Sequence, residues 1–297
     1  MKTALNLALL PLIMMFAGCG ERPSATAGST NAPPRTFTVR GSLRELPTDG
    51  RSAVIRHEEI PGYMPKMTMT LSVKHPASLR GLVPGDEVEF RLVATEDDHW
   101  IESLRRVGRG TVPEARPADP APVQRELVNG DVWPDAPILD ETGATRRFAD
   151  FRGRAIAFTF IFTRCPLPDF CPRMSKHFKR ARELLLTRPG AATNWQFVSL
   201  SFDPEQDTPA VLSTYAAGYR GANADRWLFG VLSADTLAAV APRLDLKVGR
   251  EGGSFSHNLR TVVLDTRGRI HRQFDGNDWT PEELADALVE AASVDPR

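Results

Sequence analysis

Between residues 36 and 108 apolar and polar positions alternate in short runs. Thr36–Val39, Ser52–His57, Met67–Val73, Glu87–Ala94 and Trp100–Leu104 each carry the period of a half-buried strand. Turn signals separate them at Thr48-Asp49-Gly50, Pro61-Gly62 and Pro84-Gly85-Asp86. Five short strands in so few residues predict a small all-β barrel.

The pattern changes beyond residue 125. Ala155–Phe162 is a continuous apolar and aromatic run, as expected of a strand buried on both faces, and Trp195–Phe202 is a second. Between them Met174, Phe178, Ala181 and Leu185 recur at helical spacing, in a helix opening at Pro172 and stopped by Pro189-Gly190. Thr208-Pro209 opens a helix to about Tyr219, with threonine as cap and proline in the first turn. Another helix fits 234–242. Thr261–Asp265 and Ile270–Phe274 pair around Arg267-Gly268, and a last helix starts at Thr280-Pro281-Glu282-Glu283. The order βαβα followed by ββα predicts an α/β, thioredoxin-like fold.

The remaining segments connect these blocks. Lys2, an apolar run from Ala4 to Ala17 and the ending Phe16-Ala17-Gly18-Cys19 read as a signal peptide over 1–18. That apolar run falls short of the ~20 residues a membrane span needs. Residues 19–35, rich in Ser, Thr, Ala and Pro, read as a tether, and 109–124, with Pro113, Pro117, Pro120 and Pro122, as an extended linker. The domains are thus 36–108 and 125–297. Lysine plus arginine equals aspartate plus glutamate at 37 each, without the basic excess usual in a nucleic-acid binder. The chain carries no hydrolytic, phosphate-binding or nucleotide-binding motif.

Chemistry concentrates in two places. Of the four methionines after Cys19, three (Met64, Met67 and Met69) fall within six residues. Met67 and Met69 share one face of a strand, and His57 lies one strand earlier. Thioether and imidazole together suit a soft monovalent ion such as Cu(I) or Ag(I), although methionine is also common core filler. The second place is Cys165-Pro166-Leu167-Pro168-Asp169-Phe170-Cys171-Pro172, at a strand-to-helix junction. Cys171 is expected at the helix N-cap, where the dipole favours a thiolate. Five residues between the cysteines leave a disulfide, a redox pair and a metal site open, with soft thiolates favouring Cu(I) and then Zn(II). His257 precedes the strand Leu259–Leu264 and is available as a third ligand. No proline occurs between Pro242 and Pro281, so the proline that thioredoxin-like oxidoreductases usually place beside their cysteines is missing.

Three resemblances sharpen this reading. Phe16-Ala17-Gly18-Cys19 resembles the bacterial lipobox, which implies lipidation of Cys19 and a membrane-anchored protein facing the periplasm. His57 through Met69, with Pro65-Lys66-Met67-Thr68-Met69 at its core, resembles the CusF-like copper-binding domains. That implies an OB-like barrel with His57, Met67 and Met69 as ligands. A tryptophan covers the metal in those domains where Met64 stands here, so Met64 becomes a fourth ligand or Tyr63 the cover. The segments 137–143, 151–154, the Phe162-Thr163-Arg164-Cys165 stretch, 201–209 and Ser256-His257 resemble the Sco/SenC family, which assembles the binuclear copper centre of cytochrome c oxidase. That resemblance implies copper held by Cys165, Cys171 and His257, as Cu(I) or also Cu(II), although the family usually spaces its cysteines by three residues. Asp203 is placed near the site. Lys176, Lys179, Arg180 and Arg182 give a helix face suited to an acidic partner or simply to solvent. His75, His99, His177 and His271 have no ligand spacing.

The function expected is a copper metallochaperone whose partner is the copper-centre subunit of cytochrome c oxidase or another copper acceptor. A thiol–disulfide oxidoreductase acting on that acceptor (with Cys165 and Cys171 catalytic) and copper or silver sequestration are the alternatives.

Overall fold

The computed structural model describes residues 33–110, 125–190, 192–221, 226–251 and 254–296. The signal peptide, Cys19 and most of the proline-rich segment lie outside them. The strands and helices run β1 (Arg35–Glu45), β2 (Ser52–His57), β3 (Met67–Ser72), β4 (Asp86–Ala94), β5 (His99–Arg109), β6 (Pro137–Asp140), β7 (Thr145–Arg147), β8 (Ala155–Ile161), α1 (Cys171–Thr187), β9 (Trp195–Ser201), α2 (Pro209–Arg220), β10 (Trp227–Val231), α3 (Ala234–Val240), β11 (Val248–Glu251), β12 (Ser254–His257), β13 (Arg260–Leu264), β14 (Ile270–Asp275) and α4 (Pro281–Ala292).

The first five strands form one antiparallel sheet in the order β3-β2-β1-β4-β5. Val39, Leu43, Ile55, Leu71, Val88, Phe90 and Ile101 supply its inward face. The predicted barrel does not close by a strand ladder among the described residues: β3 and β5 approach, but only Val73 and Ile101 form a bridge. Gly41 pairs with His57 in the β1–β2 register. A Cβ there would stand 2.7 Å from the Arg56 carbonyl oxygen and from Ile55. The glycine therefore lets the two strands approach beneath His57.

The second sheet has the order β14-β13-β8-β9-β10-β6-β7. β8, β9 and β10 are parallel, and the strands flanking them antiparallel. Every residue of β8 and β9 is buried, as their unbroken apolar runs require when both faces are covered. α1 packs on α4, and both lie against β8 and β9. Thr208 caps α2 with Pro209 in its first turn, and Thr280 with Glu283 forms a capping box on α4. The β6–β7 hairpin and β10 add to the predicted sheet. Among the described residues no helix is long and apolar enough to cross a membrane.

Residues 32–297 form one compact unit. The proline-rich segment thus joins two modules that touch. Leu167, from the loop after β8, is buried in the core of the first sheet. Cys165 and Phe170 pack against both cores. β12 lies on β3. Lys176 of the predicted basic face, with Arg173, meets the turn between β4 and β5: Arg173 donates to the Asp97 carbonyl at 2.8 Å, and Lys176 pairs with the Asp97 carboxylate, while Arg180 pairs with Glu183 and Arg182 is buried. The acidic group that α1 meets is in its own chain.

Candidate metal centre

β8 ends in the core, and the loop it feeds carries Cys165. Asp207 braces that loop. Its carboxylate is fully buried and accepts from the Thr163 backbone N–H at 3.0 Å, the Thr163 hydroxyl and the Ser201 hydroxyl. Sequence reading placed Asp207 inside a matching motif without giving it a role. It is the third acid in five residues, after Asp203 and Glu205, and nothing in the sequence separates it from them.

The helix begins one residue earlier than the sequence predicts. Cys171 is its first residue, Phe170 is the N-cap, and Pro172 follows. Cys171 is fully buried, whereas Cys165 is half-buried, and both are free thiols. The sulfur atoms of Cys165 and Cys171 and a ring nitrogen of His257 all lie within 4.8 Å of one another. His257 ends β12, part of a two-stranded hairpin separate from the main sheet. Its Nδ1 sits 2.9 Å from the Asn258 carbonyl oxygen. A carbonyl only accepts, so Nδ1 carries a proton and Nε2 is the nitrogen facing the sulfurs, an acceptor in the neutral ring and a donor to a thiolate when the ring is protonated. Nε2 lies 3.7 Å from Cys171 Sγ. Phe162, Phe170 and Phe202 hold the imidazole edge-on, with centroids 4.9–5.9 Å away.

The helix N-terminus was expected to favour a thiolate at Cys171. The structure puts it at Cys165. Burial raises the Cys165 pKa, but hydrogen bonds from Cys171 and His257 and the His257 charge outweigh it and hold the thiol at about 5. Burial and the neighbouring Cys165 thiolate push Cys171 upward. The full burial of Cys171 and its contact with an anion overcome the dipole of a helix start. The pair therefore rests as one thiolate and one thiol. Two soft sulfurs and one imidazole fit a soft thiophilic ion. Asp203 stands one residue further out: it is buried and accepts from Arg164 at 2.9 Å, on the residue preceding Cys165.

In the first module His57 pairs with Met67 across β2 and β3, and both are buried. His57 repeats the geometry of His257, with Nδ1 2.6 Å from the carbonyl oxygen of the following Glu58. Met67 and Met69 lie on the buried face of β3, Met69 within the first core, and line a cavity with Cys165, Phe170 and His257. Met64 is elsewhere, buried in the first core after a bridge to Ile60. Tyr63 stacks on Phe37 at 4.8 Å beneath the Arg35 guanidinium. The rings lining that cavity with Met67 and Met69 are Phe162, Phe170 and Phe255, all from the second module. His99, given no role from sequence, is buried against Asp169 of the cysteine loop.

The SCO1/SenC family profile matches residues 133–293, and that of the copper binding periplasmic protein CusF matches residues 36–106. The chain is 34% identical over 85 residues to protein SCO2 homolog, mitochondrial, of Bos taurus, and 33% identical over 85 residues to that of Homo sapiens. Each alignment spans 29% of this chain and 31% of the relative, under a third of the relative's length. A SCO1/SenC family lipoprotein from Bacillus anthracis str. Ames superposes with a TM-score of 0.50 at 20% identity, covering 57% of this chain and 99% of that one. That likeness is one of fold.

Proposed function

Because the chain belongs to the SCO1/SenC family, we propose that it is a copper metallochaperone of the bacterial cell envelope. It is anchored through a lipid on Cys19, faces the periplasm and delivers Cu(I) for assembly of the copper centre of cytochrome c oxidase. The observation that carries this reading is the convergence of Cys165, Cys171 and His257 within 4.8 Å. Cu(I) prefers such sulfur and imidazole donors, and His257 is pre-oriented by its Nδ1 bond to Asn258. The first module supports the reading with Met67 and Met69 beside His57 on a CusF-like sheet of five strands, read as OB-like.

The test is anaerobic Cu(I) titration against a chromogenic chelator, with X-ray absorption at the copper edge. The full chain should take up Cu(I) in a shell of sulfur and one imidazole. His257→Ala should lose the imidazole scattering and weaken binding by at least about 10–100-fold, the loss typical of removing even an outer-shell partner of a metal ligand. A chain that takes up no Cu(I) ends the reading.

The depressed Cys165 pKa supports a second reading, a thiol–disulfide reductant for the copper acceptor. It requires exchange with the acceptor's disulfide within minutes, monitored by mixed-disulfide trapping.

A further inference from the structure

The two sets of soft donors do not occupy separate surfaces. Met67 and Met69 on β3 line one cavity with Phe162, Cys165, Phe170 and His257, and its volume is about 40 Å3. A single water needs roughly 10–15 Å3 of such space. The cavity therefore takes a bare ion with little water, and not an ion in a full hydration shell.

The cysteine loop walls this space on the side of the second module. Leu167 is buried in the first core, Phe170 is wedged between both cores, and Asn277 donates to the Asp169 carbonyl at 2.6 Å. The Asp169 carboxylate meets His99 Nδ1 from β5, and both residues are more than nine-tenths buried. A buried pair of this kind is costly to leave half-made, so it holds the modules together as a latch.

Resting on the copper reading above, we propose that this cavity is one composite chamber and not two copper sites. Met67 and Met69 exchange a single Cu(I) with Cys165, Cys171 and His257 directly, from ligand to ligand. The ion rests on the thiolate side, where the ligands carry charge. In the exchange, copper stays monovalent. Bonds to thioether sulfur break as bonds to thiolate sulfur form, and the Cys171 proton passes to the buffer. Both donor sets open on the same small space, so a second ion would have to displace ligands of the first and would find no site of its own.

The experiment counts Cu(I) bound per full chain, titrated anaerobically against a chromogenic chelator. The chamber predicts one equivalent for the wild type, one for Cys165→Ser with Cys171→Ser, one for Met67→Leu with Met69→Leu, and none for all four together. Independent sites would give two for the wild type, which overturns the chamber and leaves the copper reading standing. No uptake by the wild type removes both. His99→Ala with Asp169→Ala takes away both latch partners, so no lone buried charge remains. That variant should rise to two equivalents, and a count of one would overturn the closure by docking.

Discussion

The two cysteines differ because of what surrounds each sulfur. Cys165 faces two hydrogen-bond donors and the positive edge of His257, whereas Cys171 faces the anion that results. In the reduced, metal-free protein, Cys165 is a thiol below pH of about 5 and a thiolate above it. Its alkylation by iodoacetamide should therefore rise through a midpoint near pH 5 and stay flat through neutrality, while Cys171 remains protected. Mass mapping of the labelled peptides gives the two rates separately. His257→Ala removes a donor and a charge that lower the pKa, so the midpoint should move up. A common midpoint for both thiols near the ordinary cysteine value of 9.0 would refute the asymmetry.

At the scale of elements, the site depends on the ends of β8 and β9 being held together. Asp207 provides that brace through the Thr163 N–H and the hydroxyls of Thr163 and Ser201. Asp207→Ala leaves these donors buried without their acceptor, each at a cost of roughly 1–3 kcal/mol before relaxation. A net loss of about 2–5 kcal/mol is expected from urea denaturation with an unchanged slope. A loss below about 1 kcal/mol would show that the brace is dispensable. The elements themselves were legible where one local rule governed them. Buried runs gave β8 and β9, and the Thr-Pro pairs gave the starts of α2 and α4. The outer halves of β1 and β5, the β6–β7 hairpin and β10 were not legible, because exposed or short strands are set by their ladder partners. Cys165, Cys171 and His257 were legible as ligand types, and their approach within 4.8 Å is a tertiary fact. Asp207 and His99 were not legible, since each acts through a residue tens of positions away.

At the scale of the whole molecule, the proline-rich segment was read as an extended linker between two domains, and the two modules fall in one compact unit. Composition reveals a linker but not whether the modules it joins fit one another. The fit comes from the loop between the cysteines, which has five intervening residues. Those residues supply Leu167 to the first core, Asp169 to His99 and Phe170 to both cores. Leu167 is only 4% exposed, so its burial couples the stability of one module to that of the other. Calorimetry of the metal-free chain should therefore show a single unfolding transition. Leu167→Asp places an unpaired carboxylate in an apolar core, at a cost of several kcal/mol unless the loop withdraws. Withdrawal is the easier response, because each module keeps its own sheet. The variant should then unfold in two steps, with the five-stranded sheet melting apart from the α/β module. Two transitions already in the wild type would mean that docking is too weak to couple the modules.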